Sequence, residues 1–135
     1  MSEYHLIDNV ELTDEQVLIQ TLQEMGYKPT IHAEAENLHG YMGDKRKNKA
    51  HIIIPRSQVG NASNDVGFEK VDGSYKLHLS EYDKRVESFK LKKLKQLYAK
   101  NKILVELKKK SKYLLGSQSV DKDGTIRIRL RRLGV

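Results

Sequence analysis

Residues 66 to 80 read VGFEKVDGSYKLHLS, a pattern typical of two short strands joined by a tight turn. Asp72-Gly73, in the middle, is a strong hairpin signal because both residues accept the positive φ angles of a two-residue turn. After the turn, apolar and polar residues alternate and give the second strand one apolar face. The sequence therefore predicts a hairpin with strands over Val66–Val71 and Tyr75–Ser80.

Upstream of this hairpin, apolar patterns alternate with turn-forming residues. We predict a helix over 14–25, because Thr13 and Gln16 form a capping box at its start and Gly26 stands where a helix-ending glycine belongs. Ala50–Ile54 contains three consecutive isoleucines, which favours a strand buried on both faces. The other predictions are strands over 3–8 and 30–39, a glycine-punctuated basic loop over 40–49 and an exposed polar loop over 56–65.

Downstream, apolar residues recur at helical spacing over 84–111, although Lys90, Asn101 and Lys108 fall near the middle of the apolar arc. Asp123-Gly124 then predicts a last hairpin, with strands over 113–120 and 125–133. The predicted fold class is α+β. It is a single domain over residues 1–135, with a mixed or mainly antiparallel sheet of about six or seven strands packed by helices 14–25 and 84–111.

Charge divides the chain into two parts. Residues 84–132 hold 17 lysines and arginines against 4 acidic residues, whereas residues 1–83 hold 8 against 14. A basic half favours acidic partners such as nucleic acid, an anionic membrane surface or an acidic protein. The other interpretation is a lysine-rich helix face that only interacts with solvent, and the sequence leaves both open.

Three segments supply the candidate nucleic-acid contacts: the basic loop, the basic helix and the last strand. Lysine suits non-specific contact with phosphates, and arginine adds a planar fork that can also stack on bases. On the last strand, alternate arginines are expected on one sheet face, about 7 Å apart. The alternatives are an ordinary hairpin loop, a solvated helix face and arginines that pair with local acids. The candidate residues are Lys45, Arg46, Lys47, Lys92, Lys95, Lys102, Lys109, Lys110, Arg127, Arg129 and Arg131.

No catalytic or metal-binding pattern stands out. The chain has no cysteine, which excludes disulfides and thiolate chemistry. No two histidines have a metal-ligand spacing, and no serine lies in a nucleophile-elbow context. We therefore expect a protein that is not an enzyme and that needs no metal or cofactor. It lacks an apolar run of about 18 residues and a secretory signal, so we expect no membrane partner and a cytoplasmic location, or the plastid stroma if the gene is plastid-encoded.

Five short pieces follow one another in a recognisable order: Gln23–Tyr27, His39–Gly43, His51–Ile54, Asp65–Phe68 and Asp123–Arg132. With these pieces the chain resembles the uncharacterised hypothetical chloroplast reading frames of cyanobacteria and algal plastids, domain-of-unknown-function family 1257. The resemblance covers nearly the whole chain. It implies an α+β fold, and it implies no activity or site residue because the family's activity is unassigned.

Two functional hypotheses follow. The first is a non-catalytic protein that contacts nucleic acid, RNA or single strands rather than a specific duplex site, through the basic helix and the arginine-rich strand. The second is an adaptor or subunit of a protein complex in which nucleic acid has no role. The acidic and basic halves would then dock different partners or pair with each other in a dimer.

Overall fold

The computed structural model describes residues 3–110, 113–120 and 126–132, with side chains for 3–6 and 11–109. The chain forms two compact units, residues 1–91 and residues 92–135. The first unit contains β1 (Tyr4–Leu12), α1 (Glu15–Glu24), β2 (Thr30–His39), β3 (Lys45–Ile54), α2 (Arg56–Val59), β4 (Val66–Val71), β5 (Ser74–Ser80) and α3 (Glu81–Val86). After Leu91 the second unit continues α4 (Leu91–Lys110) and adds β6 (Tyr113–Val120) and β7 (Ile126–Arg132).

The first unit is built on a five-stranded antiparallel sheet with the order β1-β5-β4-β3-β2. Its centre is the predicted hairpin, β4 and β5, in which Val71 pairs with Ser74. Asp72 and Gly73 between them have φ angles of 51° and 82°, as a two-residue hairpin turn of the right twist requires. The predicted α+β class and antiparallel pairing are confirmed.

Aromatic and aliphatic side chains fill one side of this sheet. Ile52, Phe68 and Leu77 are paired across β3, β4 and β5, and all three are buried. Phe89 approaches Phe68 edge-on, with ring centroids 6.3 Å apart, and lies 5.6 Å from the ring of Tyr27. These aromatic contacts join the chain after α1 and the chain after α3 to the centre of the sheet.

The predicted loop over 40–49 is wrong beyond residue 44. The turn closes where the Gly40 N–H donates to the Asp44 carbonyl at 2.8 Å, and β3 begins at Lys45, opposite His39. Because the basic residues lie on this strand, their side chains alternate between its two faces. Those of Lys45, Lys47 and Lys49 are exposed, while the intervening ones are half-buried.

The prediction of an exposed loop over 56–65 is also wrong. Residues 56–59 form the short helix α2, and Ser63, Asn64 and Asp65 are buried although all three are polar. Their side chains are buried because they hydrogen-bond to backbone and side-chain groups far away in sequence, which removes the cost of leaving water.

Helix α1 spans Glu15–Glu24, within the predicted range of 14–25, but its N-cap differs from the prediction. Its N-cap is Asp14 rather than Thr13, and the Asp14 carboxylate accepts from the Val17 N–H at 3.1 Å. At its end, Gly26 has a φ of 93°, as a C-terminal capping glycine requires.

The predicted helix over 84–111 is two helices, α3 and α4. Helix α3 begins earlier, at Glu81, and ends where Glu87 takes a left-handed conformation with a φ of 54°. The Ser88 N–H then donates to the Asp83 carbonyl at 3.3 Å, as in a helix C-cap. This break turns Phe89 into the core, where it is only 2% exposed.

In the second unit, β6 and β7 pair antiparallel as a separate two-stranded sheet, so the seven strands do not form one sheet. The predicted turn at Asp123-Gly124 lies outside the described residues. Among the described side chains of α4, those of Leu94, Tyr98 and Asn101 are buried, one turn apart. The polar Asn101 therefore shares the buried face of the helix with Leu94 and Tyr98.

Candidate functional site

The basic segment of β3 does not present all its charges on one side. Lys45 and Lys47 are exposed, but Arg46 lies on the opposite face of the strand. The Arg46 guanidinium donates to the Asp44 carboxylate at 2.6 Å and lies 5.6 Å from the ring centre of Tyr4. Arg46 is thus engaged within the first unit, whereas the two lysines face solvent.

Helix α4 carries the predicted lysines of the basic helix. Lys92 is exposed and Lys95 is half-buried. Glu106 compensates part of the charge, because its carboxylate lies 3.3 Å from the Lys102 ammonium and 3.7 Å from that of Lys109. The side chain of Lys110, also predicted, lies outside the described residues.

The arginine-rich strand forms as predicted, and positions 127, 129 and 131 alternate along β7. They pair with Ser119, Ser117 and Leu114 of β6, across an irregularity between Leu115 and Ser117. The arginine side chains lie outside the described residues. The structure therefore brings the helix and strand candidates into one unit and leaves Lys45, Arg46 and Lys47 in the other.

The first unit contains a cavity of about 370 Å³, which was not predicted from the sequence. One wall is the tip of the β2–β3 hairpin, and the other combines the loop after α2 with the first turn of α3. Two tyrosines and a methionine dominate its surface, with Met42 78% and Tyr41 49% exposed. The lining residues are Tyr41, Met42, Asp44, Arg46, Ala62, Asn64 and Tyr82.

Hydrogen bonds of the buried Asn64 side chain hold the two walls together. The Asn64 side-chain oxygen accepts from the Tyr41 N–H at 2.9 Å. Its amide nitrogen donates to the Ser80 hydroxyl at 2.9 Å and to the Asp83 carboxylate at 3.3 Å. Through Asn64, the hairpin tip is therefore attached to the beginning of α3.

Asp83 is the buried charge at the centre of this network. Burial opposes its ionisation, but hydrogen bonds from the hydroxyls of Ser63, Ser80 and Ser88 and from the Asn64 N–H outweigh burial and lower the pKa of Asp83. Ser80 is also the N-cap of α3 and accepts from the Asp83 N–H at 3.1 Å. The Ser80 hydroxyl in turn donates to the Asp83 carboxylate at 2.6 Å. This reciprocal pair resembles a capping box, except that the carboxylate accepts from the N-cap hydroxyl and not from the N-cap backbone N–H. The carboxylate therefore has a structural role at this helix start.

Asp65 connects the residue just before the hairpin tip, His39, to the beginning of α2. Its two carboxylate oxygens accept from the backbone N–H groups of His39 and Arg56, each at 2.8 Å. The Tyr4 hydroxyl donates to the Asp65 carbonyl at 2.6 Å. Burial, followed by the nearby Asp65 charge, raises the pKa of Tyr4 well above its usual value. The tyrosine therefore remains a neutral hydrogen-bond donor.

The ring nitrogens of His78 and His51 bond to different groups of the sheet. His78 lies 2.9 Å from both the Glu69 carboxylate and the Asn48 amide, while the His51 ring accepts from the Lys70 N–H at 3.0 Å. Among the residues with described side chains, no three histidine or acidic groups are placed to hold a metal ion.

Asp44 belongs to the cavity wall as half of an ion pair. Burial disfavours its charge, but backbone N–H groups and the Arg46 guanidinium have the larger effect and lower the pKa of Asp44. Within the described residues, no helix is long and apolar enough to cross a bilayer.

Comparison with protein families identifies the chain. A family described as "Protein of unknown function (DUF1257)" matches residues 21–129. The chain belongs to this DUF1257 family. No match was found among curated proteins or solved structures. The matched region includes the hairpin tip, both walls of the cavity, α4 and part of β7.

The cavity of this DUF1257 chain could not be predicted from the sequence, because its walls come from residues 41–46 and 62–82, which no local pattern connects. One usable signal was Ser80-Glu81-Tyr82-Asp83, which has the spacing of a capping box. It would have placed the start of α3 at Glu81, next to Tyr82 of the cavity wall.

Proposed function

We propose that the second unit of this DUF1257 protein contacts nucleic acid, RNA or single strands, through α4 and β7. The observation that carries this proposal is the composition and exposure of α4. Its twenty residues include eight lysines and a single acidic residue, Glu106. Four of the lysines are exposed along the helix: Lys92, Lys93, Lys108 and Lys109.

The lysine-rich helix supports phosphate contact for two reasons. One glutamate cannot compensate eight lysines, so the helix attracts anions over its whole length. Lysine is a flexible point charge without base-reading geometry, which suits contact with the phosphate backbone of any sequence. The arginines at alternate positions of β7 belong to the same unit as α4. Arginine binds phosphate through its planar guanidinium, and this group can also stack on bases.

Fluorescence anisotropy with labelled single-stranded RNA, single-stranded DNA and duplex DNA tests the proposal, with salt as the second variable. Each phosphate contact adds about 0.7 to the salt slope for single strands. We expect the α4 variant with Lys92, Lys93, Lys108 and Lys109 all changed to Glu to lose binding and most of this slope, while circular dichroism shows an intact fold.

A matched control changes four basic residues of the first unit to Glu: Lys28, Lys70, Lys84 and Arg85, all exposed. It alters the net charge by the same amount, so it separates a local contact from a general charge effect. We expect this control to bind nearly as well as the unmodified protein. Unchanged affinity in the folded α4 variant, or an equal loss in the control, would contradict the proposal.

A role in a protein complex is the second candidate, and apolar exposure on α4 favours it. Ile103 is 45% exposed, and Leu104 and Leu107 are half-buried. Apolar surface of this kind suits a protein partner better than phosphates. Co-purification of a stoichiometric protein free of nucleic acid, lost on Ile103→Glu, would favour this candidate over the first.

A further inference from the structure

We propose that the cavity between the β2–β3 hairpin tip and α3 binds a single unpaired nucleobase. Its volume of about 370 Å³ falls at the small end of ligand pockets, which suits one planar ring system rather than a large ligand. The rings of Tyr41 and Tyr82 and the thioether of Met42 line it. Aromatic side chains of this kind stack on the face of any base.

The polar groups of the wall favour an uncharged ligand. Asp44 and Arg46 form an ion pair at 2.6 Å, so their charges largely cancel. The Asn64 amide is engaged on both sides, as an acceptor from Tyr41 and as a donor to Ser80 and Asp83. A phosphate or carboxylate would therefore find no uncompensated positive charge in the wall, whereas a neutral ring needs none.

The cavity is preformed, which favours binding because little ordering cost remains. Asn64 fixes the hairpin tip to the start of α3, and the Asp65 carboxylate fixes His39 just before the tip. Neither bond involves the exposed side chains of Tyr41 and Met42, so these two can be changed without removing the supports of the cavity.

A nucleobase is favoured over other planar rings because the proposed function would bring unpaired bases to this chain. Lys45 and Lys47 are exposed on β3 directly after the turn, on the face opposite to Arg46, and they do not line the cavity. Their contribution is a positive charge close to the hairpin tip, which attracts the phosphates of a nucleic acid to this end of the sheet. This choice of ligand rests on the proposed nucleic-acid function, while the cavity lies in the other unit and can be tested separately.

Saturation-transfer NMR on the full chain is the test, with adenosine, guanosine, cytidine and uridine as probes. Ribose 5-phosphate and N-acetylphenylalanine amide serve as comparison compounds. We expect the base protons of at least one nucleoside to receive saturation and ribose 5-phosphate to receive none. The signal should disappear in the Tyr41→Ala/Met42→Ala variant. It should remain in Ile31→Ala, a matched control whose side chain is 53% exposed on β2.

A labelled oligonucleotide separates this inference from the proposed function. The Tyr41→Ala/Met42→Ala variant should bind it about tenfold more weakly, the loss of one stacked base, with an unchanged salt slope. Nucleoside binding without oligonucleotide binding would contradict the proposed function and support the cavity. Absence of nucleoside signals in the folded protein, undiminished signals in the double variant, or a signal from the phenylalanine amide alone would overturn the inference.

Discussion

The side-chain oxygen of Asn64 accepts a hydrogen bond from the backbone N–H of Tyr41 at 2.9 Å, across 23 residues of sequence. Asn64 is itself buried and bonded to Asp83. A buried amide with all its groups engaged is costly to disturb, because any partner left behind has no water to bond. This contact therefore determines where the tip of the β2–β3 hairpin lies, and with it one wall of the cavity.

Replacing Asn64 by alanine should free the hairpin tip. We expect Asn64→Ala to lower the free energy of unfolding by about 2 kcal/mol, because it leaves the Tyr41 N–H without its acceptor. Urea unfolding measures the loss, and hydrogen exchange should show faster exchange of the Tyr41 amide. Asn61→Ala, in the same loop but exposed, is the control and should change neither quantity. Equal behaviour of the two variants would contradict this role of Asn64.

The lowered pKa of Asp83 predicts that the stability of the protein depends on pH. Its pKa is lower in the folded protein than the usual value of about 3.9. A carboxyl of this kind adds stability above its unfolded pKa, and the contribution is lost as pH falls through the folded pKa. We expect Asp83→Asn to cost about 2–3 kcal/mol near neutral pH, the range for hydrogen bonds to a charged group.

The cost of Asp83→Asn should shrink when the pH falls below about 4, because the unmodified protein then loses the same charge. Urea unfolding at several pH values measures the difference. Glu81→Gln, at an exposed position of the same first turn, controls for the effect of charge at the helix start. A difference between Asp83→Asn and the unmodified protein that stayed constant down to pH 2 would exclude this explanation.

Local chemistry accounts for what the sequence predicted correctly. Asp72-Gly73 specifies its turn without help from the rest of the chain, so the central hairpin was predicted almost to the residue. The end of α1 was predicted equally well, because Gly26 accepts a positive φ at no steric cost. The DUF1257 resemblance was confirmed, and nucleic-acid binding by α4 and β7 stays a prediction.

Long-range contacts account for what the sequence did not predict. The burial of Asn64 depends on Asp83, 19 residues away, and polar residues in a loop otherwise indicate exposure. The break before α4 depends on Phe89 packing against Phe68, while Glu87, which ends α3, has no glycine-like signal. The cavity could not be predicted for the same reason, because Tyr41 and Tyr82 line a common space only once the sheet and α3 have formed.

Gly67 has a packing role that its place in a strand did not reveal. A Cβ at this position would lie 2.6 Å from the Ala50 Cβ and 2.8 Å from a Leu38 methyl carbon, well inside the usual 3.5–4.0 Å of a carbon contact. We expect Gly67→Ala to destabilise the protein by about 1–3 kcal/mol through overpacking. Adding Ala50→Gly should restore part of the loss, which a double-mutant cycle in urea measures. Strict additivity would contradict the proposed contact.

Replacing Glu87 by glycine should raise the free energy of unfolding, whereas the substitutions above lower it. Its φ of 54° is left-handed, a conformation that costs a non-glycine residue about 1–2 kcal/mol. Glycine removes this cost but adds freedom to the unfolded chain, worth about 0.4–1 kcal/mol. We therefore expect Glu87→Gly to stabilise the protein by about 0.5 kcal/mol. Arg85→Gly, two residues earlier inside α3, should instead destabilise it by about 1 kcal/mol. Urea unfolding measures the free energy of unfolding of both variants. A similar loss of stability in each would mean that α3 does not end at Glu87.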